Sequence, residues 1–278
     1  MSRIESRRLA IYYGYPSGVN GTFNVPGAIN VFNDYHLVVF GAGLEEVTHP
    51  DHTNTVNIIA GMPNTKVFGY IDATLTLVDI KDKIDKWDAM AVAGIFCDRF
   101  GYDFGVLRAA QNDIVDYIHT KNLSAFVNAW NPDDAFAPSG NLVTHLGAKD
   151  WFLAESYQII NDDYQPTQDW IDRSEKLAKY SAATETKVAG ITTSLGGVYD
   201  QAKFDYAYFS SLLYGLDAFG YGEENFAATS GQLPVRPRKR YYGTNYTSGI
   251  EGDDVVLTRS TNVGFKINTI TKTVDYLI

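Results

Sequence analysis

The chain has 278 residues, of which 45% are hydrophobic, so it is long enough to form one large α/β barrel around a sizeable core. Its net charge is −10, with 33 acidic and 23 basic residues, and a surface this acidic argues against nucleic acid as a partner. The single cysteine, Cys97, excludes an intrachain disulfide and a thiolate-based zinc site, and its apolar sequence neighbours predict a buried, inert thiol.

Strand and helix patterns alternate regularly along the first 220 residues. Short apolar runs predict strands at residues 9–13, 37–40, 67–71, 91–96, 123–127, 151–154, 188–192 and 216–220. Apolar residues at helical spacing predict helices at 25–33, 55–60, 77–87, 107–118, 170–178 and 204–214, with a broken helix after the fifth strand. Thr76 and Asp79 offer a capping box. Eight strands that are apolar on both faces and alternate with helices predict an α/β fold, the closed (β/α)8 TIM barrel.

The composition changes after about residue 230. Residues 232–240 are basic and rich in proline, and we expect a solvated linker there rather than a site for a polyanion. Beyond it, residues 255–258, 263–268 and 272–277 alternate with period two, which predicts a small C-terminal antiparallel β appendage. The domains are therefore predicted as a barrel at 1–230, catalytic or sugar-binding, and a connector with appendage at 231–278. The appendage could cap the barrel, form a homo-oligomer contact or join a larger assembly.

The first residues are polar and charged, without the apolar segment of a secretory signal. No apolar run approaches the roughly 18 residues that a membrane-spanning helix needs. We therefore expect a soluble protein without membrane insertion. Its location is left open by the sequence, and an extracellular or virion-associated protein would have to reach that place by another route.

Polar and aromatic side chains follow the predicted strands, and in a parallel barrel the carboxyl ends of the strands surround one pocket. The candidate site residues are Tyr13, Tyr70, Asp72, Asp98, Arg99, Asn128, Trp130, Glu155, Tyr157, Tyr221 and Glu223. Carboxylates, amides and rings in one pocket suit a polyhydroxylated ligand, because rings stack on sugar faces while polar groups bind the hydroxyls. The expected partner is therefore an oligosaccharide or polysaccharide.

Two of these residues, Asp98 and Glu155, fit the pair of carboxyl groups that glycoside hydrolysis requires. They end strands four and six, two strands apart, so their carboxyl groups are expected about 5–6 Å from each other, the separation of retaining enzymes. Glu155 follows an apolar segment that would raise its pKa, as a general acid requires. Asp98, beside Arg99, suits the nucleophile. The remaining candidates are assigned to substrate binding.

Four segments carry a family resemblance: residues 67–75 (VFGYIDATL), 92–99 (VAGIFCDR), 126–132 (FVNAWNP) and 150–157 (DWFLAESY). They resemble the spherulin-4-like glycoside hydrolases, whose relatives include endo-α-1,4-galactosaminidases that cut microbial exopolysaccharides. The resemblance implies a TIM barrel with Asp98 and Glu155 as its catalytic acids. The sequence departs from the family pattern at Arg99, where the family usually has Glu, and at Asp133, which replaces Gly after Asn131-Pro132.

The sequence thus predicts a retaining, endo-acting glycoside hydrolase that cleaves a microbial surface or matrix polysaccharide, one containing amino sugars, without metal or cofactor. The alternative is a non-catalytic carbohydrate-binding barrel of a phage tail or surface fibre. An ion pair between Arg99 and Asp98 or Glu155 would favour the binding protein, whereas an open gap between the two acids would favour the enzyme. A third hypothesis is a phosphodiesterase that holds a divalent cation with Asp72, Asp98 and Glu155.

Overall fold

The structure is a computed structural model that describes residue 4 and residues 7–239, 243–253, 255–262 and 264–276. Its first strands are β1 (Arg7–Tyr12), β2 (Leu37–Phe40), β3 (Lys66–Asp72), β4 (Gly94–Asp98), β5 (Ser124–Asn128) and β6 (Trp151–Ala154). A short hairpin of β7 (Ile159–Ile160) and β8 (Asp163–Tyr164) precedes β9 (Lys187–Ile191) and β10 (Ala218–Gly220). Within the described residues, β1 to β6, β9 and β10 are parallel neighbours, and β10 closes on β1. The predicted eight-stranded barrel is confirmed, whereas the hairpin was not predicted.

Helices follow the strands as expected and form the outer layer. They are α1 (Val25–Phe32), α2 (His52–Ala60), α3 (Leu77–Ala89), α4 (Arg108–Thr120), α5 (Pro132–Phe136), α6 (Thr167–Thr184) and α7 (Gln201–Leu213). The predicted capping box begins α3, where the Thr76 hydroxyl accepts from the Asp79 amide at 3.2 Å and donates to the Asp79 carboxylate at 2.7 Å. Among the helices of the described residues, none combines the length with the apolar composition of a membrane-spanning segment.

The barrel interior is filled by one apolar cluster, which determines what stands at its mouth. The cluster comprises Leu9, Ile11, Leu37, Val39, Phe68, Phe96, Phe126, Trp151, Leu153, Ala189, Ile191 and Ala218. Because side chains alternate along a strand, the residue two positions after the last interior one also faces inward, at the carboxyl edge. Those residues include Tyr13, Tyr70, Asp98, Asn128 and Glu155. Packing of the core therefore places the candidate acids in the pocket.

Side chains on the outer faces of the strands pack against the helices. Cys97, which alternates with the inward Phe96 and Asp98, is fully buried in this outer layer, so the predicted buried thiol is confirmed. Trp87 of α3 packs directly on the backbone of Gly69 in β3, where an added Cβ would lie 2.1 Å from the ring. Gly69 is thus needed for the close approach of this helix to the barrel.

A four-stranded antiparallel sheet follows the barrel, as the period-two pattern predicted. Its strands, in spatial and chain order, are β11 (Tyr246–Gly252), β12 (Val256–Thr261), β13 (Phe265–Asn268) and β14 (Thr273–Tyr276). The first of them was not predicted, because its residues are mostly small, polar or exposed. Positions 263 and 277 of the predicted strands, and position 240 of the predicted linker, lie outside the described residues.

This sheet packs on α7 and explains an unusual helix. Every residue from Phe204 to Leu213 is buried, because the barrel covers one side of the helix and the sheet covers another. The rings of Phe209 and Phe265 lie 5.3 Å apart, and the Arg259 guanidinium donates to the Leu213 carbonyl at 2.9 Å. The appendage therefore covers a helix of its own barrel.

The prediction of a solvated linker at 232–240 is wrong where the structure describes this segment. Arg236 donates from Nε and Nη2 to the Glu223 carboxylate at 2.7 and 2.6 Å, and its guanidinium lies 3.9 Å from the centre of the Tyr199 ring. Leu233 exchanges two hydrogen bonds with the Asn20 side chain. The basic, proline-rich composition suggested that this segment is exposed to solvent. Its contacts with Glu223, Tyr199 and Asn20 instead hold it on the barrel.

We expect Arg236→Ala to lower the free energy of unfolding by about 2 kcal/mol, because it leaves a carboxylate that is only 14% exposed without its cation. Urea denaturation at pH 7 measures the loss. The double variant Arg236→Ala/Glu223→Gln should recover part of the stability, since it removes the unpaired charge. Equal losses in the single and double variants would contradict this account.

Candidate active site

Asp98 and Glu155 are brought together by the side chain that lies between them. Asn128 of β5, the strand between β4 and β6, donates from Nδ2 to Asp98 Oδ1 at 3.1 Å and to Glu155 Oε2 at 2.6 Å. Since one nitrogen contacts both oxygens, these two oxygens are at most 5.7 Å apart. Retaining glycosidases hold their carboxyl groups about 5–5.5 Å apart and inverting ones about 6.5–9.5 Å. The upper limit on this oxygen–oxygen distance is below the range of the inverting enzymes.

Three donors orient the Asp98 carboxylate. The Tyr70 hydroxyl donates to Oδ2 at 2.9 Å, and Oδ1 accepts from the Arg99 amide at 2.9 Å in addition to Asn128. Hydrogen bonds from several donors restrict the rotation of a carboxylate. Asp98 therefore has the fixed orientation that a nucleophile requires.

Glu155 has a different environment. Burial raises its pKa above the ordinary value, and the charge of Asp98 acts in the same direction. The hydrogen bond from Asn128 and the charge of Arg173 act against this rise, but burial outweighs them. A carboxyl group with a raised pKa retains its proton closer to neutral pH, so Glu155 suits a general acid.

Arg99 forms its ion pair with Asp72 and leaves the gap between the two acids open. Its backbone is in the left-handed region, with φ of +54°, which directs the side chain across the mouth toward β3. Nε lies 3.1 Å from Asp72 Oδ1, and Nη2 contacts Oδ2. Asp72 also accepts from the Thr74 amide at 2.9 Å. Asp72 is therefore engaged in holding Arg99 and its own loop, beside the acids but facing away from their gap.

The gap opens into a cavity of about 340 Å³, lined by Asp98, Arg99, Asp103, Phe104, Asn128, Trp130 and Glu155. Two of its aromatic rings are exposed to solvent, Trp130 by 54% and Phe104 by 48%. Tyr13 and Tyr70 pack on the apolar cluster that fills the barrel, where their rings meet edge to face at 5.6 Å, and burial raises the pKa of both, so both remain neutral hydroxyls. Exposed rings together with hydroxyl groups suit a sugar.

Two further cavities adjoin the central one. A cavity of about 440 Å³ shares Glu155 with it and is also lined by Tyr13, Thr193 and Phe226. A cavity of about 380 Å³ lies on the other side of Trp130, between α5 and α6, and includes Arg173. The central cavity thus shares Glu155 with one neighbour and Trp130 with the other, so the three cavities adjoin one another.

Among the candidate binding residues, Tyr157, Tyr221 and Glu223 do not line the central cavity. Tyr157 lines the cavity between α5 and α6, but its side chain is only 1% exposed, and its hydroxyl donates to the Ser210 carbonyl at 3.1 Å, inside the helical layer. Tyr157 does not face the barrel mouth because Ser156, with φ of +53°, ends the inward and outward alternation of side chains that β6 and Glu155 follow. The Tyr221 ring packs against the Tyr199 ring, with 5.3 Å between the ring centres.

Glu223 lines the cavity that it shares with Glu155, but Arg236 already occupies its carboxylate. Among the residues that the structure describes, neither Asp98 nor Glu155 forms a salt bridge, whereas Asp72 and Glu223 both do. Asp103, which also lines the central cavity, likewise forms no salt bridge in the described part of the chain. A ligand therefore meets Asp98 and Glu155 as carboxyl groups that no cation neutralises, and Asp72 and Glu223 as ion pairs.

Sequence reasoning missed Phe104 and Arg173. Phe104 lies in the loop that follows β4, next to the predicted nucleophile, and an aromatic residue at that place could have been included. Arg173 comes from the middle of α6, where nothing in the pattern separates it from other charged residues of an amphipathic helix. No group of three or more His, Cys, Asp or Glu side chains suited to a metal ion occurs in the described part of the chain.

Comparisons with known proteins establish the fold alone. The chain matches no family model and no curated protein. It is similar to the carboxyl transferase domain of Rhizobium etli pyruvate carboxylase with pyruvate and biocytin, at 9% identity and a TM-score of 0.51, covering 79% of this chain and 40% of that one. The structure of the same domain with 3-bromopyruvate is similar at 8% identity and a TM-score of 0.50, covering 78% of this chain and 40% of that one. The chain thus spans less than half the length of these structures.

A protein from Coccidioides immitis described as a fructose-1,6-biphosphate aldolase is also similar, at 7% identity and a TM-score of 0.45, covering 78% of this chain and 76% of that one. Identities this low carry no information on substrate or chemistry. What the comparisons support is the TIM barrel, in agreement with the closed sheet of parallel strands described above.

We expect Glu155→Gln to stabilise the protein at neutral pH. A carboxyl whose pKa is raised by folding contributes stability below its unfolded value of 4.5, and this contribution is lost as the pH rises through the folded value. The amide of the Glu155→Gln variant does not ionise, so this variant does not lose stability as the pH rises. Its melting temperature should exceed that of the wild type by about 2 °C or more at pH 7.5, and the two should converge at pH 4. Calorimetry checks this, with the exposed Glu175→Gln as control; a constant difference at all pH values would contradict it.

Proposed function

We propose that this protein is a retaining glycoside hydrolase. The observation that supports the proposal best is the shared contact of Asn128 with Asp98 and Glu155, which keeps two carboxyl groups within 5.7 Å of each other in an open cavity. The two carboxyl groups have different environments, as the two roles require. Asp98 is oriented by three donors, whereas Glu155 has a raised pKa. Such a difference between two neighbouring carboxyl groups assigns the acid and the nucleophile.

In the proposed reaction, an Asp98 oxygen attacks the anomeric carbon while Glu155 donates its proton to the departing glycosidic oxygen. The bond from carbon to that oxygen breaks, and a covalent glycosyl ester on Asp98 remains. Glu155, now ionised, takes a proton from an incoming water, whose oxygen attacks the same carbon and releases Asp98. Two displacements at one carbon restore its configuration, and Glu155 ends protonated as it began.

Cavities on both sides of the central one support a polymeric substrate that is cleaved internally. Trp130 and Phe104 offer exposed ring faces, and the acids near the gap, Asp98, Asp103 and Glu155, would attract a protonated amino group. The resemblance to the spherulin-4-like hydrolases points to the same substrate class, a microbial surface or matrix polysaccharide that contains amino sugars. Substitution of the family Glu by Arg99 does not obstruct this proposal, because Arg99 is held by Asp72.

An ion pair between Arg99 and one of the two acids would have favoured the non-catalytic alternative. The pair of Arg99 with Asp72 instead leaves both acids accessible to a ligand. The geometry therefore favours the enzyme over a barrel that only binds sugar. A role of the C-terminal sheet in oligomers or larger assemblies stays a prediction.

We expect Asp98→Asn and Glu155→Gln each to reduce hydrolysis at least 1,000-fold, because each removes one of two groups that act in the same reaction. The wild-type protein is screened against a panel of bacterial and fungal polysaccharides, including those with galactosamine, by release of reducing ends. Glu175→Gln on the exposed face of α6 is the matched control and should retain full activity. Substantial activity in either site variant would refute the assignment.

The separation of the carboxyl groups also sets the stereochemical outcome. On any substrate that the panel identifies, we expect the first product to have the same anomeric configuration as the bond that was cleaved. Proton NMR of the anomeric region within the first minutes of reaction, before mutarotation, distinguishes the two configurations. Inversion would mean that a water molecule, and not Asp98, attacks the sugar.

A further inference from the structure

Arg173 of α6 lies beside Glu155, although nothing in the sequence links the two. Its Nη1 donates to the main-chain carbonyl of Glu155 at 2.7 Å. Its guanidinium also stacks on Trp130, 5.0 Å from the ring centre. The helix thus inserts a positive charge between the exposed tryptophan of the rim and the chain that carries the proposed acid.

The placement of this guanidinium is unfavourable for stability. Nε and Nη2 are shielded from solvent and have no hydrogen-bond partner among the residues described. Burial lowers the pKa of Arg173 to about 10, although the negative charge of Glu155 acts against this, so the group remains protonated at neutral pH. A shielded cation with two unpaired nitrogens reduces stability, and so its position calls for a functional explanation.

Charges and donors from every neighbouring element face Glu155. They are Asp98 from β4, Asn128 from β5, Tyr13 and Tyr70 from the carboxyl edge of the barrel, and Arg173 from α6. Within this set the tyrosines and the amide are neutral, and Asp98 opposes ionisation of Glu155. Arg173 is therefore the positive charge of the set and the one that favours the carboxylate form.

We propose, on the basis of the glycosidase function proposed above, that Arg173 is a positioning residue for Glu155. Its bond to the Glu155 carbonyl fixes the turn from which the side chain projects, and its charge stabilises the carboxylate that forms when Glu155 gives up its proton. Trp130 shields the guanidinium from water, which preserves the strength of this interaction. Burial thus favours the protonated form of Glu155, which donates a proton in the first step, and Arg173 favours the ionised form, which accepts a proton in the second.

The direct test is the titration of Glu155 in the free, full-length protein. Carboxyl groups of glutamate are labelled with ¹³C, the Glu155 resonance is assigned by its loss in Glu155→Gln, and its midpoint is followed by NMR as the pH changes. We expect the midpoint to rise by about half a pH unit or more in Arg173→Met, because an attractive charge has been removed. In Arg173→Lys, which keeps the charge, the midpoint should stay near that of the wild type.

Two more variants separate charge from structure. Arg173→Gln keeps a donor for the Glu155 carbonyl but has no charge, so it should shift the midpoint as Arg173→Met does, and it provides the test if the Met variant does not fold. Lys176→Met removes another cation from the same helix and cavity, one held at 2.7 Å by Asp133, and should leave the midpoint unchanged. An unshifted midpoint in a folded neutral variant would overturn the proposal, as would an equal shift in Lys176→Met.

This readout is independent of hydrolysis, so failures of the two proposals can be told apart. If the enzyme is active, the basic limb of its kcat/KM profile, which reports loss of the Glu155 proton, should move to higher pH in Arg173→Gln together with the NMR midpoint. A shifted midpoint in a protein that hydrolyses nothing on the panel would refute the glycosidase and, with it, the catalytic purpose of Arg173. Hydrolysis with an unshifted midpoint would refute Arg173 alone.

Discussion

The amide of Asn128 is the interaction on which the site depends. Two carboxyl groups at this separation repel each other when both are ionised, and the amide reduces that repulsion by donating one hydrogen to each. It can do so because β5 lies between the strands that carry the two acids and because Asn128, like Asp98, continues the inward face of its strand. The close packing of phenylalanine and leucine below them fixes those strand ends in space.

Cation partners divide the acids of the mouth into two kinds. Asp72 and Glu223 are paired with Arg99 and Arg236, and these pairs hold the β4 loop and the segment after the barrel in place. Asp98 and Glu155 are held by neutral donors, which leave their charge available to a substrate. The segment at 231–239 therefore contributes to the electrostatics of the mouth as well as connecting the barrel to the C-terminal sheet.

The sequence predicts the direction of a side chain where the side chains of a strand alternate regularly. It does not predict that direction where a residue with positive φ interrupts the alternation. Eight apolar runs indicated the barrel, and period two placed Asp98, Asn128 and Glu155 on the same edge. Positive φ at Ser156 and Arg99 redirects Tyr157 into the helical layer and Arg99 toward Asp72, and neither residue type signals this conformation. Arg173 and Arg236 were not identified because their partners are distant in the chain, so only the folded structure brings them together.

Trp130 is far more exposed to solvent than the other three tryptophans, and this difference makes it useful as a fluorescent probe. Trp87, Trp151 and Trp170 are at most 3% exposed, whereas Trp130 stands at the wall between two cavities with more than half of its surface in water. A soluble quencher such as iodide will therefore reach mainly this indole. The protein carries a built-in optical reporter at the rim of its barrel, and protection of that emission would reveal an occupant before its identity is known.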